Sequence, residues 1–134
     1  MIFVDTSAWL ALVDSHDRLH GRAIEVNRRL STGEFGKQVT TNYVLSETLT
    51  LIRRRLGLRQ AVALSDTIEA GHEVRVLWIE AVHHREAVRF MAAHANKEWS
   101  VTDCASFVVM QAMTIRHAFT FDKDFAQAGF LVVG

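Results

Sequence analysis

Short apolar runs alternate with longer amphipathic stretches along the whole chain. "IFV" at residues 2–4 stops at Asp5, and apolar residues resume at Ala8, Trp9 and Leu10. So short a run, bounded by a polar residue, predicts a buried strand, and "TSAWLALVD" a short helix. "DRLHGRAIEVNRRLSTG" predicts an amphipathic helix ended by Gly33, and "KQVTT" a strand. Thr41 or Asn42 then caps a helix over "YVLSETLTLIRRRLG", where Leu45, Leu49, Ile52 and Leu56 recur at helical spacing and Gly57 is the stop. "LRQAVALSDTIEAG" is a further helix ended by Gly71, "EVRVLWI" a strand and "EAVHHREAVRFMAAHA" a helix. "VTDCASFVVMQAMTIR" is a helix apolar nearly all round, hence central. "HAFTF" is a strand, "DKDFAQAG" a turn with a helical piece, and "FLVV" the last strand.

Strands separated by helices require crossover connections. The fold class is therefore α/β, a three-layer sandwich with helices on both faces of a mostly parallel sheet. Such sheets bind ligands at the carboxyl ends of their strands, where the strand order reverses. Asp5 follows "IFV" and Asp122 follows "AFTF", so two acids fall at strand ends.

The 134 residues, 49% hydrophobic and 22% charged, suit one domain spanning residues 1–134 with a core of its own. No repeat, linker or low-complexity segment divides them. Lys and Arg (15) balance Asp and Glu (15), so any nucleic-acid site must be local. The lone cysteine, Cys104, excludes an internal disulfide and fits a reducing cytosol. No apolar stretch reaches the roughly 18 residues of a membrane span, and the first residues lack the features of a signal peptide. A cytoplasmic location is expected.

Four carboxylates compete between two roles. Asp5 and Asp122 are each placed to cap a following helix. Asp103 stands three residues after Ser100, a capping-box spacing. Glu47 lies inside its helix, beside Val44 and Leu51 at the margin of the apolar stripe, where a merely solvated glutamate is poorly placed. Asp103 likewise shares a face with Ser106, Phe107 and Met110. Acids gathered in a partly apolar site raise one another's pKa unless a cation neutralises them. Hard oxygen ligands suit Mg²⁺ or Mn²⁺. Spacing alone does not bring these acids together.

Four segments, in order, resemble the acidic motifs of PIN-domain nucleases: "MIFVDTSAWLALV", "TTNYVLSETLTLI", "WSVTDCASFVVM" and "AFTFDKDFAQAGF". The likeness covers essentially the whole chain, and its length is similar to that of VapC-type toxins, the ribonuclease halves of toxin–antitoxin pairs. The resemblance implies an α/β/α sandwich whose acids meet at one end of the sheet. It implies a Mg²⁺- or Mn²⁺-dependent endoribonuclease, usually a homodimer, inhibited by a cognate antitoxin and leaving 5′-phosphate and 3′-hydroxyl ends. Carried over by motif, Asp5, Glu47, Asp103 and Asp122 are the catalytic, metal-binding acids, with Asp124 auxiliary. Thr6 matches the small hydroxyl residue beside the first acid. Asn42, Ser7, Thr102, Ser106 and Thr120 are polar neighbours expected to hydrogen-bond the acids, unless they serve only local bonding.

Other chemistries fit less well. His16 and His20, and His83 and His84, suggest zinc, yet no HExxH is present. The basic run "RRRLGLR", Arg53 to Arg59, suits RNA phosphates or a solvated face, and consecutive helical arginines cannot all point at one ligand. Trp9, Phe35, Trp99 and Phe107 are candidates for base stacking or for core. A receiver-like module lacks the aspartate after its central strand, and a phosphatase reading of "DTS" lacks the second aspartate. An RNA-processing nuclease without an antitoxin, and a non-catalytic RNA- or protein-binding module, remain as alternatives.

Overall fold

A computed structural model describes residues 1–134. Five strands form one sheet: β1 (Ile2–Val4), β2 (Gln38–Thr41), β3 (Val74–Leu77), β4 (His117–Phe119) and β5 (Leu131–Val133). The order is β3-β2-β1-β4-β5 and every pairing is parallel, where the sequence predicted a mostly parallel sheet. Seven helices connect them: α1 (Thr6–Val13), α2 (His20–Ser31), α3 (Asn42–Leu56), α4 (Leu58–Ala70), α5 (Ala81–Ala93), α6 (Val101–Ala112) and α7 (Lys123–Gln127). The chain steps outward from β1 to β3, then returns past β1 to β4 and β5. With right-handed crossovers, α1–α4 cover one face and α5–α7 the other. The helix contacts agree, α1 meeting α2 and α3, and α5 meeting α6. The reversal of order lies between β1 and β4, the place where parallel sheets open a crevice.

Local sequence explains the boundaries. Thr41, not Asn42, caps α3, its Oγ1 accepting from the Val44 N–H at 3.1 Å. Gly57 ends α3 at φ 104°, a left-handed value that a side chain would oppose. The buried positions of α3 are Val44, Thr48 and Ile52. Glu47, one turn on from Val44 and next to Thr48, flanks this buried stripe on its exposed side, the margin beside Val44 and Leu51 that its spacing predicted. The strand predicted over "EVRVLWI" stops at Leu77.

The core is aromatic around α6, as its all-round apolarity predicted. Phe107 packs edge-on to Phe125 and Trp99, and Phe125 stacks on Phe3 of β1. Trp9, Trp99 and Phe107 are buried, and Phe35 packs under Arg29. None of these four is free to stack on a base.

Candidate active site

The parallel register places the first acid. Val4 pairs with Phe119, so Asp5 comes level with Thr120 on the next strand. The Thr120 hydroxyl donates to Asp5 Oδ2 at 2.9 Å, and the Ser7 hydroxyl donates to the same oxygen at 3.0 Å. All of the side-chain hydrogen bonds to Asp5 fall on Oδ2, so Oδ1 has no protein partner. Asp5 is also the N-cap of α1, so capping and site geometry share one residue. Burial raises its pKa, and the hydrogen bonds from Thr120, Thr6 and Ser7 oppose that rise.

Thr120 also fixes the fourth motif. Its Oγ1 accepts from the Asp122 N–H at 3.0 Å, and Asp122 Oδ1 accepts from the Asp124 N–H at 2.9 Å. Asp122 thereby caps α7 and turns Asp124 back towards the strand end. Ser7 Oγ accepts from the Phe121 N–H at 2.9 Å, tying α1 to the same loop.

Asp103 arrives from the other face of the sheet at the start of α6. It closes the capping box that its spacing predicted, Oδ2 accepting from the Ser100 N–H at 3.1 Å. Its pKa is pushed up to about 6, first by burial and then by the charges of Asp5 and Asp122, against the hydrogen bonds from Ser100. Asp103, Asp122 and Asp124 can each present a ligand oxygen within 4.8 Å of the other two. Asp124, treated as auxiliary in the sequence, is thus part of the tightest trio. Its pKa is raised by burial and by Asp122, with Lys123 and Lys97 opposing.

Glu47 completes the ring from α3. It is exposed at the mouth of a cleft lined by Tyr43, Arg54 and Thr102, but protein crowds its carboxyl. Burial, then the charges of Asp5 and Asp122, raise its pKa. Asp5 and Asp122 thus act on both Glu47 and Asp103, and Asp122 on Asp124, yet the ion pairs of the protein, Asp14–His16, Glu25–Arg28 and Glu34–Arg29, include none of these acids. The buried Thr6 hydroxyl lies beside the Glu47 carboxyl and opposes the rise in its pKa. A free Asp5 oxygen and uncompensated carboxylates fit a hydrated divalent cation.

The remaining predicted neighbours divide. Ser7 and Thr120 bond the acids directly. Ser106 donates to the Thr102 carbonyl at 2.9 Å, a local helix bond. Thr102 lines the Glu47 cleft. Asn42 does not reach an acid: its Oδ1 accepts from the Ile79 N–H and pins the loop after β3. Histidines take no part in the acid cluster, and His83 and His84 serve the Glu80 capping box and Tyr43. Arg53, Arg54 and Arg55 are all exposed, and of these Arg54 joins Glu47 in its cleft. A second cleft beside Asp122 is lined by Arg18, Arg22 and Lys123. The exposed Trp78, just beyond β3, escaped the sequence reading because a strand was predicted to run through it.

The PIN domain family model matches residues 2–131. The 23S rRNA-specific endonuclease VapC20 of Mycobacterium tuberculosis is 41% identical over 133 residues, covering 99% of this chain and 98% of its own length. The crystal structure of Mycobacterium tuberculosis VapC20, a sarcin–ricin loop cleaving toxin, matches with a TM-score of 0.87 at 40% identity, over 98% of this chain and 97% of the other. FitAcB from Neisseria gonorrhoeae matches over 100% of this chain and 97% of its own at a TM-score of 0.67. At 16% identity that likeness is one of fold alone.

Proposed function

This chain belongs to the PIN domain family, and on that premise we propose that it is the endoribonuclease toxin of a toxin–antitoxin pair, acting on the sarcin–ricin loop of 23S rRNA. The observation that carries this reading is the gathering of Asp103, Asp122 and Asp124, with Asp5 and Glu47 within reach of their charges and no ion-pair partner for any of the five, where the parallel strand order reverses. A protein seldom gathers uncompensated acids unless a cation or a reaction requires them.

In this reading Asp5, Glu47, Asp103 and Asp122, with Asp124 beside Asp122, would hold Mg²⁺ or Mn²⁺. A divalent cation held there would supply Lewis-acid stabilisation of the phosphoryl oxygens and lower the pKa of water, so that hydroxide is available as the nucleophile near neutral pH. The chain's own residues do the positioning. Thr120 and Ser7 fix the rotation of the Asp5 carboxylate through Oδ2 and leave Oδ1 free. The Thr120–Asp122–Asp124 relay of hydrogen bonds sets the spacing of the fourth motif. Arg54 on one side, and Arg18, Arg22 and Lys123 on the other, offer cationic contacts to the phosphates flanking the cut.

The partners follow from the same reading: an RNA substrate, a second copy of the chain, and an antitoxin that silences it in the cytoplasm. The exposed Leu58 and Val62, beside a shallow hollow between α3 and α4, supply apolar surface for such a protein to cover. No helix is long and apolar enough to cross a membrane.

The test is incubation of the purified chain with a hairpin carrying the sarcin–ricin loop and with a scrambled-loop hairpin, in Mg²⁺, Mn²⁺ or EDTA. One cut in the loop, leaving 5′-phosphate and 3′-hydroxyl ends and lost in EDTA, is expected. Equal cutting of both hairpins removes the substrate assignment, and cutting in EDTA removes the metal.

A further inference from the structure

Trp78 is 68% exposed, while the other two tryptophans, Trp9 and Trp99, are 7% and 6% exposed. An indole left in water forgoes one of the largest apolar burials a side chain can make. A frayed segment would account for that, but this one is pinned on both sides. Leu77 is paired with Thr41 in the sheet. Ile79 is buried, and its N–H is held by Asn42 Oδ1. The Glu80–His83 capping box follows at once. Trp78 is therefore an exposed aromatic ring on a rigid stalk.

The sheet register gives its distance from the acids. Phe3, Val39 and Arg75 share one level across β1, β2 and β3. Two residues further along, Asp5, Thr41 and Leu77 share the next such level, and Trp78 comes directly after. Two strand spacings separate β1 from β3, so the Trp78 backbone stands about 10 Å along the sheet rim from that of Asp5. Between them lies the carboxyl end of β2, with Tyr43 and the cleft that holds Glu47 and Arg54. Arg54 is exposed and forms no ion pair.

We propose that Trp78 is a stacking platform for an unpaired base of the RNA, placed next to the bases flanking the cut. The inference rests on reading the acids as a ribonuclease site. An RNA strand passing over the acids towards β3 meets an unpaired cation for its phosphate and then an aromatic face for its base. That is the pairing used by proteins that bind single-stranded nucleic acid. Preorganisation by Asn42 lowers the ordering cost of the contact.

Trp78 can be read by its own emission, because the other indoles are buried. The Asp103→Asn chain, in Mg²⁺, is titrated with the sarcin–ricin hairpin and with its stem as a blunt duplex of equal phosphate content. Stacking quenches the red-edge emission and shields it from iodide with the hairpin only. In the same background Trp78→Ala weakens hairpin binding about 5- to 150-fold, and Trp78→Phe restores most of it. Unquenched emission on binding, or equal affinity of the Ala variant, overturns the proposal. So does a loss of affinity that accompanies a shift in oligomeric state by light scattering, since Trp78 would then be a contact between copies. Cleavage by the unsubstituted chain, read alongside, distinguishes a failure of this platform from a failure of the nuclease reading.

Discussion

Thr120, at the end of the neighbouring strand, holds Asp5: its hydroxyl donates to Asp5 Oδ2 at 2.9 Å, while Thr120 Oγ1 accepts from the Asp122 N–H at 3.0 Å. One buried hydroxyl thus sets the geometry of two acids from different motifs. It does so because the β1–β4 register brings Thr120 level with Asp5.

Replacing Thr120 by Val keeps the shape and removes the hydroxyl. The Asp122 N–H loses its acceptor and Asp5 Oδ2 loses one donor. A stability loss of about 1–3 kcal/mol is expected from the unsatisfied groups. Cleavage should fall about 10- to 100-fold, the usual cost of losing a partner of a metal ligand. Thr120→Ser retains the bond and should recover most of both. Urea unfolding and single-turnover cleavage measure the two effects.

Asp103 makes the metal-free fold pH-dependent. Its folded pKa of about 6 lies above the unfolded value near 3.8, so the folded state binds the proton more tightly. Stability of the metal-free chain therefore rises as pH falls from about 7 towards 4, and this contribution is absent above both values. The raised pKa values of Asp5, Glu47 and Asp124 act in the same direction. Asp103→Asn keeps an oxygen for the Ser100 N–H and removes the charge. Allowing for partial solvent exposure, it should stabilise the metal-free chain at pH 7.5 by about 1–2 kcal/mol. Its melting temperature should be higher by about 3–6 °C, and its slope of stability against pH flatter. Calorimetry with EDTA across pH 5–8 checks this.

Asp124 distinguishes the structural view of the site from the motif view. It belongs to the trio whose oxygens come within 4.8 Å of one another. Mg²⁺ at about 100 times its Kd should stabilise the unsubstituted chain by about 2.7 kcal/mol. Asp124→Asn should lose most of that increment, as Asp122→Asn does. If Asp124→Asn keeps it, Asp124 is auxiliary after all.

The strands and helices were legible because each apolar run was short and each amphipathic stretch ended in a glycine or a cap. What periodicity could not give was convergence. Nothing in the spacing of Asp5 and Asp122 states that β4 lies beside β1; that follows from the crossover past β1, a tertiary choice. The capping readings of Asp5, Asp103 and Asp122 are all observed, and each coexists with a place in the acid cluster. A cap residue stands where an element begins, and in a parallel sheet that is where the strand ends meet the crevice. Glu47 stands at the edge of the buried stripe, one turn from Val44, where its spacing put it; that this edge opens towards Asp5 and Asp122 is again a tertiary fact. Asn42 was assigned to the acids by its motif position, but its bond to Ile79 depends on β2 and β3 being neighbours. Trp78 was hidden because an apolar residue in an apolar run gives no sign of lying past the last pairing.

The central claim is that the gathered carboxylates perform metal-dependent RNA cleavage. Its most direct test is the rate of sarcin–ricin hairpin cleavage by the unsubstituted chain and by Asp5→Asn and Asp103→Asn, all verified as folded, at saturating Mg²⁺ and Mn²⁺. Cleavage by the unsubstituted chain that falls at least about 100-fold in both variants is the predicted result. Variants that cut as fast as the parent, or a folded parent that cuts no RNA, would contradict the account and return these acids to helix capping.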